Sequence, residues 1–175
     1  MLVSPAADSS TAPKCKLPRL GVCCLSVTAT AGPAAPSARH WGIFGAAGLL
    51  LRHADATGVE RVLLQHRALW SHHGGTWGVL GGARNSGETA AYAAQREAAE
   101  EAGVVPDSYA VVGEFVDDHG GWSYTTVVGR APSAFVPSAL TPETIDLRWV
   151  VVDAVPELPL HPGFAATWEA VQEIG

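Results

Sequence analysis

The residues in this sequence with the most chemistry to offer are three glutamates, Glu97, Glu100 and Glu101, with Arg96 beside them and Glu88 one stretch earlier. On a helix, positions three and four apart share a face. The three carboxylates are therefore expected within about 6 Å of one another along the axis. Like charges at such spacing repel by ~0.2–0.5 kcal/mol per pair, and near a helix C-terminus the macrodipole disfavours anions as well. A sequence that accepts both costs calls for a counterion, and hard carboxylate oxygens suit Mg²⁺ or Mn²⁺ better than zinc. The opposing reading is a solvated acidic face. The triplet alone leaves the two open.

The elements around it must position these groups. Thr89 to Ala102 is Ala-rich with Glu, Gln and Arg, a helix composition, and Gly103 is placed to end it in the left-handed conformation. Ala90, Ala91, Ala94 and Ala98 form a small-residue face that can pack closely on a sheet. Upstream, Trp41 to Leu51 and Val59 to Gln65 read as strands joined by the turn 54–58, and Trp77 to Leu80 is a short strand running into Gly81-Gly82. The loop from Arg67 to Gly75 carries Trp70, His72 and His73. Downstream, Tyr109 to Val116 and Trp122 to Val128 form a second hairpin around residues 117–121. A loop over 132–142, a strand over Ile145 to Val152 and a last helix over Phe164 to Ile174 follow. This order predicts an α/β fold, a mixed sheet with helices packed on it.

Composition narrows the function. The chain has 175 residues, 47% hydrophobic and 16% charged, enough for one folded core. No apolar run approaches the roughly 18 residues of a membrane span, so no membrane partner is expected. Residues 1–40 hold four basic groups against one acidic, a net of +3; residues 41–175 hold seven against sixteen, a net of −9. An acidic domain repels a polyphosphate backbone, which argues against nucleic-acid polymers. A small phosphorylated ligand bridged by a divalent metal remains compatible. Residues 1–40, rich in Ala, Pro and Ser, read as a poorly ordered extension, and 41–175 as the folded domain. Cys15, Cys23 and Cys24 form neither a disulfide framework nor a zinc spacing, which fits a reducing, cytoplasmic setting. Lys14, Lys16 and Arg19 before the apolar stretch Leu20 to Val27 make only a faint copy of a secretory signal.

The spacing decides between the readings of the acidic helix. Gly82, five residues, Glu88, seven residues, Arg96-Glu97-Ala98, one residue, Glu100-Glu101, one residue, Gly103-Val104 resembles the Nudix box of the Nudix hydrolase superfamily. Ala98 stands where that family usually has a larger aliphatic residue, and Leu80, in the strand before the box, where it more often has Pro. The resemblance covers about residues 41–174. It implies an α/β/α sandwich with a mixed sheet, and hydrolysis of a nucleoside diphosphate linked to another group by water attack on phosphorus. Phosphoryl chemistry of this kind needs charge neutralisation and an oriented water and no protein nucleophile. On the family's pattern Glu97 and Glu101 would be metal ligands, Glu100 a ligand or the base, and Glu88 a neighbour holding water or a second ion. A backbone carbonyl at Gly81 or Gly82 would complete the shell, and Arg96 would fix a carboxylate, that of Glu88, by a bidentate contact.

Outside the box the expectations rest on single residues. The family's additional carboxylate often lies before the last strand, which points to Glu143 and, second, to Asp146. Glu100 is preferred over Glu143 as the group that activates water, because a helix fixes its position. Arg67 is a phosphate ligand by type; Trp70, Trp122 and Tyr124 could stack a base; and His72, His73 and His119 could touch phosphate or metal. The expected activity is Mg²⁺-dependent cleavage (Mn²⁺ substituting) of a nucleoside triphosphate or its oxidised form, with a nucleotide sugar next. The alternative is a nucleotide-sensing Nudix module without catalysis; such modules usually lose a box carboxylate, and all four are present here. Nudix proteins are often dimers, so a homodimer is the assembly the resemblance implies.

Overall fold

The computed structural model describes residues 42–175. The readings made of residues 1–40, of the three cysteines and of a strand start at Trp41 lie outside the described residues. Seven strands and two helices follow: β1 (Ala46–Ala54), β2 (Glu60–Arg67), β3 (Trp77–Gly78), β4 (Leu80–Ala83), α1 (Ala90–Ala102), β5 (Ala110–Asp118), β6 (Ser123–Arg130), β7 (Thr144–Val151) and α2 (Pro162–Gln172). The strand expected over 77–80 is split in two at Val79. The glycines expected to end it are instead inside β4, paired with Ala47 and Gly48.

The sheet is mixed. β1 is its hub: it runs parallel to β6 from Ala46 to Arg52 and antiparallel to β4 through its first half and to β2 through its last residues. β2 also pairs with β3 and β7, and β5 closes the other edge beside β6. Alternation along β1 supplies both faces of the sheet. Leu49 and Leu51 join Leu80, Val127 and the alanines of α1 in one core, whereas Leu50 joins Val62, Val128, Phe164, Trp168 and Val171 of α2 in the other. The sheet thus lies between two helices, an α/β/α sandwich.

Helix α1 is placed tightly because of its composition. Ala94, Ala98 and Ala102 recur at four-residue spacing and are buried, so the helix axis can approach the sheet more closely than larger side chains would allow. Thr89 caps its start, Oγ1 accepting from the Tyr92 N–H at 3.2 Å, a contact worth ~1 kcal/mol. Gly103 ends it at φ 65°, its N–H returning to the carbonyls of Ala98 and Ala99. Both ends are therefore fixed, and with them the rotation that aims each glutamate.

Candidate active site

Arg96 organises the helix side of the site. Its Nε and Nη2 donate to the two carboxylate oxygens of Glu88 at 2.9 and 3.1 Å, the bidentate contact expected from sequence. Its Nη1 donates to Glu97 at 2.7 Å, and Nη2 also reaches the Ala83 carbonyl at 3.1 Å. Glu88 further accepts from the Asn85 N–H at 2.7 Å. The Arg96 guanidinium, with that N–H second, holds the Glu88 carboxyl down at about 2.

The three box glutamates do not share one environment. Glu101 is buried, 6% exposed, and its Oε2 accepts from the Gly81 N–H at 3.1 Å. Burial raises its pKa from 4.5 to about 7; the Gln65 amide draws it partly back, and the Glu97 carboxylate adds to the rise. Glu97 packs against the backbone of Gly82, where a Cβ would stand 2.4 Å from its carboxyl carbon. Glu100 is different. Its side chain is 60% exposed and 3.5 Å from Arg96 Nη1; it borders a separate shallow depression with Tyr92, Gln95 and Pro106. The expectation of one shared face fails here for a geometric reason: from Glu97, the third and fourth residues diverge to opposite sides, about 100° apart.

Glu97 and Glu101 open onto a cleft of about 570 Å³ that is lined also by Gly81, Gly82, Arg67, Trp70, Trp122, Tyr124, Glu143 and His161. Arg67 Nε donates to the His72 carbonyl at 3.2 Å. Trp70 is 68% exposed at the cleft wall. Trp122 donates to the Gly42 carbonyl at 2.8 Å. Tyr124 belongs to the floor: its hydroxyl fills the space over Gly48 and Gly81, and burial with the Glu101 carboxyl nearby raises its pKa. His119 lines the cleft and contacts Asp117 at 2.9 Å. Asp146 is held by Arg148 and by the Leu147 N–H in β7 and is not among the cleft residues.

Two participants were not anticipated. Gln65 is fully buried in β2, its Nε2 donating to Thr144 Oγ1 at 2.7 Å while Oε1 has no partner. Turning the amide over lets Oε1 accept from Thr144 and Nε2 serve Glu101. The signal was present: an amide that directly follows the apolar run Val62-Leu63-Leu64 on a buried strand must have a polar partner. His161 is brought to the cleft by β3, whose Trp77 exchanges backbone hydrogen bonds with Pro159 and His161 at 2.8 and 2.7 Å. No local sequence signal gives that contact.

This arrangement suits a hard divalent cation. Two carboxylates come from successive helical turns, a glycine backbone leaves room for one of them, and burial with the Glu97 carboxylate nearby raises the pKa of the other to about 7, a cost that a bound cation relieves. Among the described residues no helix is long and apolar enough to cross a membrane.

Comparison with known proteins bears on the family and the fold. The family profile of the NUDIX domain matches residues 44–171. A Mycobacterium tuberculosis protein named "Putative 8-oxo-dGTP diphosphatase 3" is 48% identical over 141 residues, 76% of this chain. The chain spans 64% of that relative's length. The crystal structure of a Nudix hydrolase from M. smegmatis, RenU, superposes with a TM-score of 0.73 at 48% identity, covering 78% of this chain and 88% of that one. A C. elegans Ap4A hydrolase shares the fold at 17% identity, with a TM-score of 0.60 over 73% of this chain and 96% of its own.

Proposed function

The chain belongs to the Nudix family, and from that premise we propose that it hydrolyses the pyrophosphate linkage of a small nucleotide, an oxidised purine nucleoside triphosphate before a nucleotide sugar. The observation that carries this reading is the Glu97–Glu101 pair at the cleft, one carboxylate fixed by Arg96 and the other by Gly81. The name of the M. tuberculosis relative favours the oxidised triphosphate.

Glu97 and Glu101 would hold Mg²⁺ beside the Gly81 backbone, while Glu88, bound through both oxygens to Arg96 and set back from the cleft, steadies that guanidinium. When bound, the ion supplies charge neutralisation at the phosphate oxygens. The chain's own groups do the rest. Arg96 keeps Glu88 and Glu97 in place without itself facing the substrate. Arg67 binds a phosphate oxygen, and Trp70 and Trp122 bracket the base at the exposed end of the cleft. Glu143 takes the proton from the attacking water. It lines the cleft, and Glu100 does not; Glu143 also adjoins Thr144, which is tied through Gln65 toward Glu101. Residues 41–175 act as the catalytic domain, in a cytoplasmic setting and as a homodimer.

The test is phosphate or pyrophosphate release from 8-oxo-dGTP, unmodified triphosphates and nucleotide sugars, with Mg²⁺ and with EDTA. Metal-dependent release, fastest on the oxidised triphosphate, is expected. A folded protein that cleaves none of the panel overturns the reading.

A further inference from the structure

Three histidines meet at the rim of the cleft. His72 and His73 come from the loop after β2, and His161 from the start of α2. One imidazole nitrogen from each lies within 4.8 Å of the other two. The ring centroids of His72 and His73 are 4.1 Å apart and those of His73 and His161 4.8 Å. Among the described residues this is the one trio of His, Cys, Asp and Glu side chains whose ligand atoms come so close.

The backbone works to make this cluster. His73 has φ 52°, the sole non-glycine positive φ among the described residues, a conformation that disfavours most side chains. His161 sits there because β3 grips its N–H. The three rings crowd one another near Arg67, and burial together with these neighbours holds His161 at about 4 and lowers His73.

We propose that His72, His73 and His161 form a binding site for a borderline divalent transition-metal ion, Zn²⁺ in the first instance, separate from the carboxylate site of Glu97 and Glu101. The choice of ion follows from ligand type. Imidazole nitrogens suit Zn²⁺, Ni²⁺ and Cu²⁺, whereas Mg²⁺ takes oxygen ligands. A tetrahedral Zn²⁺ with Zn–N bonds of ~2.0–2.1 Å needs nitrogens roughly 3.4 Å apart. The rings must therefore close by about 1.4 Å from the widest spacing the cluster allows, a shift that the exposed side chains of His72 and His73 can make by changing rotamer. His161 Nδ1 now accepts from the Gly163 N–H at 3.2 Å; coordination through Nε2 moves the ring proton to Nδ1, so the ring must rotate away from Gly163, whose N–H then donates to water. Three protein ligands leave a fourth position for water or an anion, and His72 and His161 both line the cleft. Arg67 opposes a second cation, so the site is weaker than an isolated three-histidine site.

The inference is independent of the hydrolase reading, since its test needs no turnover. Zn²⁺ binding is measured by titration calorimetry on the full chain with Cys15, Cys23 and Cys24 replaced by Ser, in excess Mg²⁺. His73→Asn and His161→Asn are the test variants: Asn tolerates positive φ and keeps a helix-capping acceptor. His53→Asn is the control, and circular dichroism verifies folding. One Zn²⁺ per chain that Mg²⁺ does not displace, weakened at least tenfold in both test variants and not in the control, is expected. Unchanged affinity in both folded test variants, or Zn²⁺ that Mg²⁺ displaces, or no binding, overturns the site.

Discussion

A Cβ placed on Gly82 would stand 2.4 Å from the Glu97 carboxyl carbon, closer than any side chain tolerates, and the reason is space and not backbone conformation, since Gly82 is not among the positive-φ glycines. The glutamate is pinned on its other side by Arg96 at 2.7 Å. Gly82→Ala should therefore move the carboxylate and spare the fold, because the displaced atoms are the end of a flexible side chain. Turnover should fall at least tenfold, about 1.4 kcal/mol of barrier, with melting temperature little changed. Wild-type turnover in the variant would mean that the position of Glu97 is immaterial.

Glu97→Gln keeps the volume and removes the charge. If Glu97 and Glu101 hold the ion, Mg²⁺ at 100 times its dissociation constant should stabilise the wild type by about 2.7 kcal/mol over EDTA. The variant should lose most of that difference and at least about 100-fold in turnover, ~2.7 kcal/mol. Equal Mg²⁺ shifts in both proteins, read by thermal melting, would remove Glu97 from the ligand set.

The burial of Glu101 makes a pH prediction with a definite sign. Its carboxyl is raised from 4.5 to about 7 in the fold, so the native state holds a proton that the unfolded chain has released. Its favourable contribution is full below pH 4.5 and is lost as pH rises through 7. His161, depressed from 6.5 to about 4, acts oppositely: its contribution is present above 6.5 and lost as pH falls through 4. The wild-type curve mixes the two, but subtracting the curve of Glu101→Gln isolates the glutamate. In EDTA the difference should decline between pH 4.5 and 7, and Mg²⁺ should restore most stability at the alkaline end. A flat difference curve would show that Glu101 is not desolvated.

What could be read from the sequence was whatever depends on local chemistry. The α1 limits were legible because Thr89 and Gly103 are capping residues flanking an alanine-rich run, and the Arg96–Glu88 contact because the resemblance to the box implied it. The mixed sheet with helices packed on it followed from the order of elements, and the α/β/α layering from the resemblance that the box carries. The rest depended on tertiary geometry. Glu97, Glu100 and Glu101 look equivalent until the sheet is placed against the alanine face; then Glu101 is buried and Glu100 is left in solvent. Likewise Gly81 and Gly82 read as the end of a strand, whereas β1 pairs with them and continues the sheet. His161 reaches the cleft by a contact from Trp77 across 84 residues of sequence, which no local pattern encodes.

The assignment of the proton acceptor follows from that same divergence. Sequence reasoning prefers Glu100, because a helix fixes it. In the fold that fixity works against it, since α1 holds Glu100 beside Tyr92 and Gln95, away from the cleft. Glu143 is exposed on the loop before β7 but lines the cleft, and its carbonyl accepts from the Ala68 N–H at 2.8 Å, which anchors the loop to the segment carrying Arg67 and Trp70. At saturating Mg²⁺, Glu143→Gln should lose about 10²–10⁴ in turnover, the range for a missing proton-transfer group, with KM nearly unchanged. Glu100→Gln should lose much less, and added metal should recover what is lost. A larger, metal-independent loss in Glu100→Gln would mean that α1 turns or the cleft closes over it during turnover, and would return the role to the helix.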